Sequence, residues 1–210
     1  MPDTGRHWMK DKLEAKRGRP SRRPQIIAAT DALIRTRGLA SVTTRAIAEQ
    51  VGCSEGAIYV HFEGRLELLL AVLEESLPDM LTPLQALEQT VGQSTPQQNL
   101  VKAMHAIYSF HERVVPMTAS LFGDPELLTA YRESLTARNK GPHGAIRRLQ
   151  RYISAEQELN RIPQTVDPEI AATVLLASSF FRAFTAQFFA EPNPSDAVFK
   201  KTVAAAIHKR

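Results

Sequence analysis

Three scarcities bound this chain before any motif is considered. A single cysteine, Cys53, excludes an internal disulfide framework and leaves a thiolate zinc site without partners. Ten glycines in 210 residues is about 5%, below the roughly 7% average, which disfavours a fold of turns and short strands. Long apolar runs are also missing. Residues 1–23 hold no continuous apolar stretch, so no secretory leader is expected there. The most apolar region, 170–190, is interrupted by Thr173, Ser178, Ser179, Arg182, Thr185 and Gln187. Arginine and glutamine at mid-bilayer depth are expensive, so no membrane span is expected either. What remains is an expectation of a soluble, reduced, cytoplasmic protein. Its 43% apolar content is enough for a sizeable core.

The charge that is present is uneven. Residues 1–23 carry eight basic side chains against Asp3, Asp11 and Glu14, a net of +5. The other 18 basic and 19 acidic residues leave the body near neutrality. A basic arm of this kind suits a polyanion, most often nucleic acid; the alternative is a solubilising tail. Gly5, Gly18 and Pro20 interrupt residues 1–20, which read as disordered when free.

Beyond the arm, hydrophobic spacing predicts an all-α chain. Ile26, Ile27, Ala29, Ala32, Leu33 and Ile34 give one helical face over 22–37, with Gly38 at its stop. Short helices follow from Thr43 or Thr44 to about 51, closed by Gly52, and from Ser54 to about Phe62. A leucine-rich helix from Gly64 is expected to end before Pro78. Further helices are expected near 82–91, 97–114, 124–138, 143–160, 167–190 and 195–208, with Asp167 and Ser195 as N-caps. No strand-like alternation and no internal repeat is visible.

The informative stretch is 43–62. Two short helices that cross tightly need a small residue at the crossing, met by Ala48. They also need a residue that tolerates positive φ at the turn, met by Gly52. Ile47, Val51, Ile58 and Phe62 supply apolar pins to a shared core. Ala, then Gly at +4, then Ile at +10 is helix-turn-helix spacing, in which the second helix enters the major groove of DNA. A helical hairpin without a DNA role is the bland alternative. The flanks weigh against it: Arg17-Gly18-Arg19-Pro20 is shaped to lay arginines in a minor groove, and Arg65 opens the next helix.

With Gly38, Thr43, Ile47-Ala48, Val51-Gly52, Ser54, Gly56, Ile58-Tyr59, Phe62, Arg65 and Leu66-Leu69, residues 22–80 resemble the DNA-binding domain of the TetR family of transcriptional regulators. The family usually has lysine where this chain has Arg65, so the charge is kept. Together with the chemistry, the resemblance implies a DNA-contacting set: Arg17, Arg19, Thr43, Thr44, Arg45, Ser54, Glu55, Gly56, Ala57, Tyr59, His61 and Arg65. Thr43 and Thr44 would cap the second helix and offer hydroxyl and amide groups to a phosphate. Arg45 would reach a phosphate or a guanine edge. Gly56 and Ala57 would allow close approach, and Tyr59 would hydrogen-bond a phosphate. Glu55 stays open between accepting from cytosine N4 and complementing the helix dipole. Cys53 reads as packing.

The resemblance further implies an arm at 1–20, a helix-turn-helix domain at 21–66 and a helical effector-binding and dimerisation domain at 67–210. Over 170–190 the apolar arc is too wide for one core, so it should bury a second face against a partner copy. Val174, Ala177, Phe181, Phe184, Phe188 and, on the last helix, Val203 are the expected interface. Met80, Met104, Tyr108, His111, Met117 and Phe122 are the candidates for lining a small-molecule pocket, each individually as well suited to plain core. No enzyme motif emerges. His111-Glu112 lacks the second histidine of a metalloprotease, since position 115 is Val, and neither a metal nor a cofactor is expected.

The resulting expectation is a homodimeric regulator of double-stranded, palindromic operator DNA, a repressor released by a small hydrophobic effector. An architectural DNA-binding protein without an effector, and a small-molecule carrier, are the alternatives. Deleting residues 1–20 should flatten the slope of log K against log salt for DNA binding; an unchanged slope would show the arm to be idle.

Overall fold

The computed structural model describes residues 21–137, 141–189 and 194–208, all of them helix, turn or irregular, with no strand among them. The basic arm, with Arg17 and Arg19, lies outside the described residues. Helix α1 (Arg23–Arg37) begins with Pro24 in its first turn and stops at Gly38, whose φ of 76° lets its N–H return to the Ile34 carbonyl. A single 3₁₀ turn (Leu39–Ser41) leads to α2 (Thr44–Val51) and α3 (Glu55–Tyr59). The rest is α4 (Arg65–Glu88), α5 (Pro96–Leu121), α6 (Pro125–Ala137), α7 (Pro142–Glu158), α8 (Pro168–Thr185) and α9 (Asp196–Ile207). No helix among these is long and apolar enough to cross a membrane.

The first three helices bury Ile26, Ile27, Leu33, Ile47, Ile58 and Phe62 in one small core. Thr30, fully buried there, satisfies its hydroxyl on the Ile26 carbonyl. Arg23 lies over the Phe62 ring and within 3.7 Å of Glu75, so it ties α1 to α4. Helix α5 is the centre of the body, buried over a wide arc because α4, α8 and α9 all pack on it. Asp167 caps α8 by accepting from the Glu169 and Ile170 amides, as expected. Ser195 stands at the N-cap of α9, but its side chain makes no capping bond.

Two of the expected helix boundaries fail at prolines. The helix expected to stop before Pro78 and the one expected over 82–91 are a single helix, α4, running through Pro78 and Pro83. The helix expected to end near 114 runs on through Pro116 to Leu121. An interior proline costs about 3 kcal/mol. Against that, α4 buries Leu68, Leu69 and Val72 at one end and Leu84 and Leu87 at the other. Each is worth about 1.5–3 kcal/mol, so packing wins. The boundary expected at 66/67 falls in the first turn of α4, which the two expected domains therefore share. Helix α8 ends at Thr185, and turns carry the chain to Phe188 and Phe189.

The α4–α5 connection is fastened by polar groups, of which Glu156 and Tyr152 are fully buried. Glu156, fully buried on α7, pairs with Arg161 at 3.2 Å and accepts from the Gly92 amide. Asn99 donates to the Thr90 and Gln93 carbonyls and to the Tyr152 hydroxyl. Glu88, at the end of α4, is held by Arg148 at 2.9 Å and Arg151 at 2.8 Å on α7.

His111 supplies a pH signature for this packing. It is buried between α5 and α8, with Nδ1 3.0 Å from the Ser179 hydroxyl, and burial lowers its pKa from 6.5 to about 4. The unfolded chain protonates near pH 6.5 while the folded chain stays neutral. Stability is therefore complete above pH 6.5 and falls as pH drops toward 4, by on the order of 2–3 kcal/mol. Thermal melts from pH 7 to pH 4 should show a shallower decline for His111→Asn than for wild type. Parallel curves would remove His111 as the source.

Candidate nucleic-acid interface

The two crossing helices are built by local rules. Thr43 is extended (φ −115°, ψ 154°), and its hydroxyl oxygen accepts from the Ala46 amide at 3.1 Å, capping α2. Gly52 ends that helix in the left-handed region (φ 69°, ψ 45°). Its N–H bonds the Glu49 carbonyl while the Cys53 N–H bonds the Ala48 carbonyl at 2.9 Å, a paired closure that turns the chain sharply. Ala48 is buried at the crossing, and Val51 and Cys53 are half-buried against the core. After Ser54, again extended, α3 begins at Glu55. Ile58 and Phe62 anchor its inner side.

The outer side is open. Thr43, Arg45, Ser54, Glu55, Gly56, Tyr59 and Arg65 are exposed, and Thr44, Ala57 and His61 are half-exposed. A cleft of about 320 Å³ lies where α2, α3 and the start of α4 meet. Thr43, Thr44, Tyr59 and Arg65 rim it above Ile58 and Phe62. Hydroxyls and a guanidinium are side-chain groups of the kinds that bind phosphate.

Several of these groups are already engaged. Arg65 donates to the Leu39 carbonyl at 3.0 Å, so part of its fork secures the 3₁₀ turn. Arg45 pairs with Glu49 at 3.1 Å, an exposed helix pair that DNA could exchange at small cost. The Thr44 hydroxyl donates to the Glu55 carboxylate at 2.7 Å, a partner the sequence reading did not foresee.

One outward residue escaped the sequence reading. Val60, 78% exposed, follows α3 directly, four residues after Gly56 and three after Ala57, on the same face. An exposed aliphatic group there suits a thymine methyl. Its apolar character had concealed it, although the spacing from Gly56 could have flagged it.

The other expected sets divide. Met80, Met104, Tyr108, His111 and Met117 are buried in the body core, and Tyr108 meets the Phe199 ring edge-on at 6.0 Å. Phe122 does not join them. It lies in the turn after α5, 76% exposed, because α5 runs on to Leu121 and carries it past the core. Two body clefts are lined by other residues. One of about 130 Å³ has Pro83, Leu87, Asn99 and Ala103 in its wall. An open groove of about 660 Å³ lies by Gln98, Lys102, His105, Asp196 and Lys200.

On α8 and the turn beyond it, Val174, Ala177, Phe181, Phe184 and Phe188 form an exposed stripe, extended by Ile170, Phe180 and Phe189. Phe184 and Phe188 touch edge-on at 5.1 Å. Val203, expected on the same interface, is fully buried with Phe199 and Ile207 in the chain's own core. The inward face of α9 is the one carrying its large side chains, and its exposed residues are Asp196, Ala197, Lys200, Lys201 and Ala205.

Residues 26–72 match the family described as bacterial regulatory proteins, tetR family. The HTH-type transcriptional activator FasR of Mycolicibacterium smegmatis is 33% identical over 95 residues, 45% of this chain and 42% of that protein. The nucleoid occlusion factor SlmA of Marinobacter nauticus is 30% identical over 106 residues, 50% of this chain and 53% of its own. The chain thus matches about half the length of these curated relatives. Among solved structures, SmeT, the repressor of the Stenotrophomonas maltophilia multidrug efflux pump SmeDEF, shares the fold in its triclosan complex. The identity is 22% and the TM-score 0.64, covering 89% of this chain and 91% of that one.

Gly56 gives a test internal to this surface. Its φ is not left-handed, and an added Cβ would meet nothing closer than the Ser54 hydroxyl at 4.0 Å, so the fold does not require glycine there. Gly56→Ala should therefore hold or raise stability, by up to about 0.5–1 kcal/mol, while weakening binding to DNA. Denaturant unfolding beside DNA titration measures both; unchanged DNA affinity would remove Gly56 from the contact surface.

Proposed function

From the match of residues 26–72 to the tetR family of bacterial regulatory proteins, we propose that the chain is a cytoplasmic, homodimeric repressor that reads palindromic operator DNA and is released by a small hydrophobic effector. The observation that carries the DNA-reading part is the cleft rimmed by Thr43, Thr44, Tyr59 and Arg65 beside an exposed α3. In this reading α3 enters the major groove, and Thr43, Tyr59 and Arg65 on the rim grip the backbone beside it.

The dimer is supported by the α8 stripe. A continuous apolar strip with Phe181 at 66% and Phe188 at 67% exposure is too large to leave in water. Ala177 within it lets a second helix approach closely. Two heads joined through α8 can occupy successive major grooves about 34–36 Å apart. An effector that respaces them by a few ångströms weakens both contacts at once.

The repressor sign and the effector draw support from SmeT, a repressor by its description and solved with triclosan, and from the apolar body core around Met104 and Tyr108. A second reading, an architectural DNA-binding protein without an effector, draws on the likeness to a nucleoid occlusion factor. It would discriminate little between sequences.

Phe181→Asp separates the parts. Light scattering should find monomers, and affinity for a palindromic site should fall by about 100-fold or more while single half-site binding is kept. A dimer that persists would remove α8 from the interface. An undiminished preference for the full site by a monomer would refute paired reading.

A further inference from the structure

Glu55 is an odd residue to expose on a surface meant for a polyanion. Its carboxylate opens α3, next to Ser54 and Gly56, and lies out in solvent. Against DNA it adds repulsion from phosphates at every sequence, so on general affinity it is a cost. Moreover, it occupies the Thr44 hydroxyl, a donor a phosphate would otherwise take.

The Thr44 contact also orients Glu55. Thr44 stands at the first position of α2 and Glu55 at the first position of α3, so the 2.7 Å bond spans the two helices. It fixes Oε2, and Oε1 takes no hydrogen bond within the described residues. A carboxylate held this way accepts and never donates. In the major groove the base groups that can donate to it are the N4 amino of cytosine and the N6 amino of adenine. Adenine sets the N7 acceptor beside N6, which repels a carboxylate. Cytosine sets a C–H beside N4, which does not.

We propose that Glu55 is the specificity-determining residue of α3, accepting from the N4 amino group of one cytosine in each half-site, with Thr44 as its positioning residue. This rests on the DNA-reading function proposed above. Glu55 lowers affinity for all DNA through repulsion and regains it where that cytosine is present, which widens the gap between cognate and random sequence.

The test uses the full chain, selection from random double-stranded DNA, and competition titrations with each base substituted along the selected site. Wild type should select cytosine at one position per half-site. Glu55→Gln should move that position toward adenine, whose N6 and N7 an amide reads together, and should lose about 5- to 100-fold of the cytosine preference. Its binding to scrambled DNA should rise, with other positions unaltered. Thr44→Val should keep cytosine but shrink the preference. Thermal melts of both variants check that the head stays folded, and if one fails the other still decides. A Glu55→Gln profile unchanged at every position, or shifted uniformly across sequences, overturns the inference while leaving DNA reading intact. A Thr44→Val preference equal to wild type overturns the positioning role. A wild type that enriches no sequence overturns both the inference and the function beneath it.

Discussion

Burial of both ends of α4 is the constraint on which the rest of the arrangement depends. Leu68, Leu69 and Val72 fix its start in the core of the first three helices, and Leu84 and Leu87 fix its finish in the body. Arg65 pins the first turn to Leu39, and Glu88 is gripped by two arginines of α7. A helix of this length is about 36 Å long. A tilt of about 5° at the body end therefore carries the other end roughly 3 Å, on the scale that matters between adjacent major grooves. Pro78 and Pro83 remove backbone hydrogen bonds inside this strut, and packing at its two ends keeps it a single helix nonetheless.

The exposed surface at α2 and α3 shows a division of labour among polar groups. The Thr43 hydroxyl caps its helix, one arm of Arg65 holds a carbonyl, and Arg45 is paired with Glu49. These internal bonds order side chains before any partner arrives, which lowers the entropy lost on binding. Gly56, Ala57 and Val60 leave a smooth, small-residue face between the polar groups, suited to close contact with base edges.

Much of this was legible in the sequence because it obeys local rules. Gly52 had to be glycine for a left-handed turn, Thr43 had the right side chain for a cap, and Ile47, Ala48, Ile58 and Phe62 carried the spacing of a shared core. Asp167 announced α8 in the same way. What escaped depends on partners distant in sequence. Pro78 and Pro116 read as stops because the leucines and valines that outweigh them pack against other helices. The link from Thr44 to Glu55 joins residues on opposite sides of a turn, so neither alone advertised it. Val203 is expected at the dimer interface on a spacing that a buried face of the chain's own core satisfies equally well, and Phe122 follows the misplaced end of α5.

Equilibrium binding is the most direct test of the central claim that α3 reads sequence. Fluorescence anisotropy at physiological salt would compare the full chain on the DNA upstream of its own gene with scrambled DNA of equal length. A ratio of affinities of about a thousandfold or more is the predicted result. Equal, weak and salt-sensitive binding to both, repeated on DNA recovered from random-sequence selection, would contradict the account.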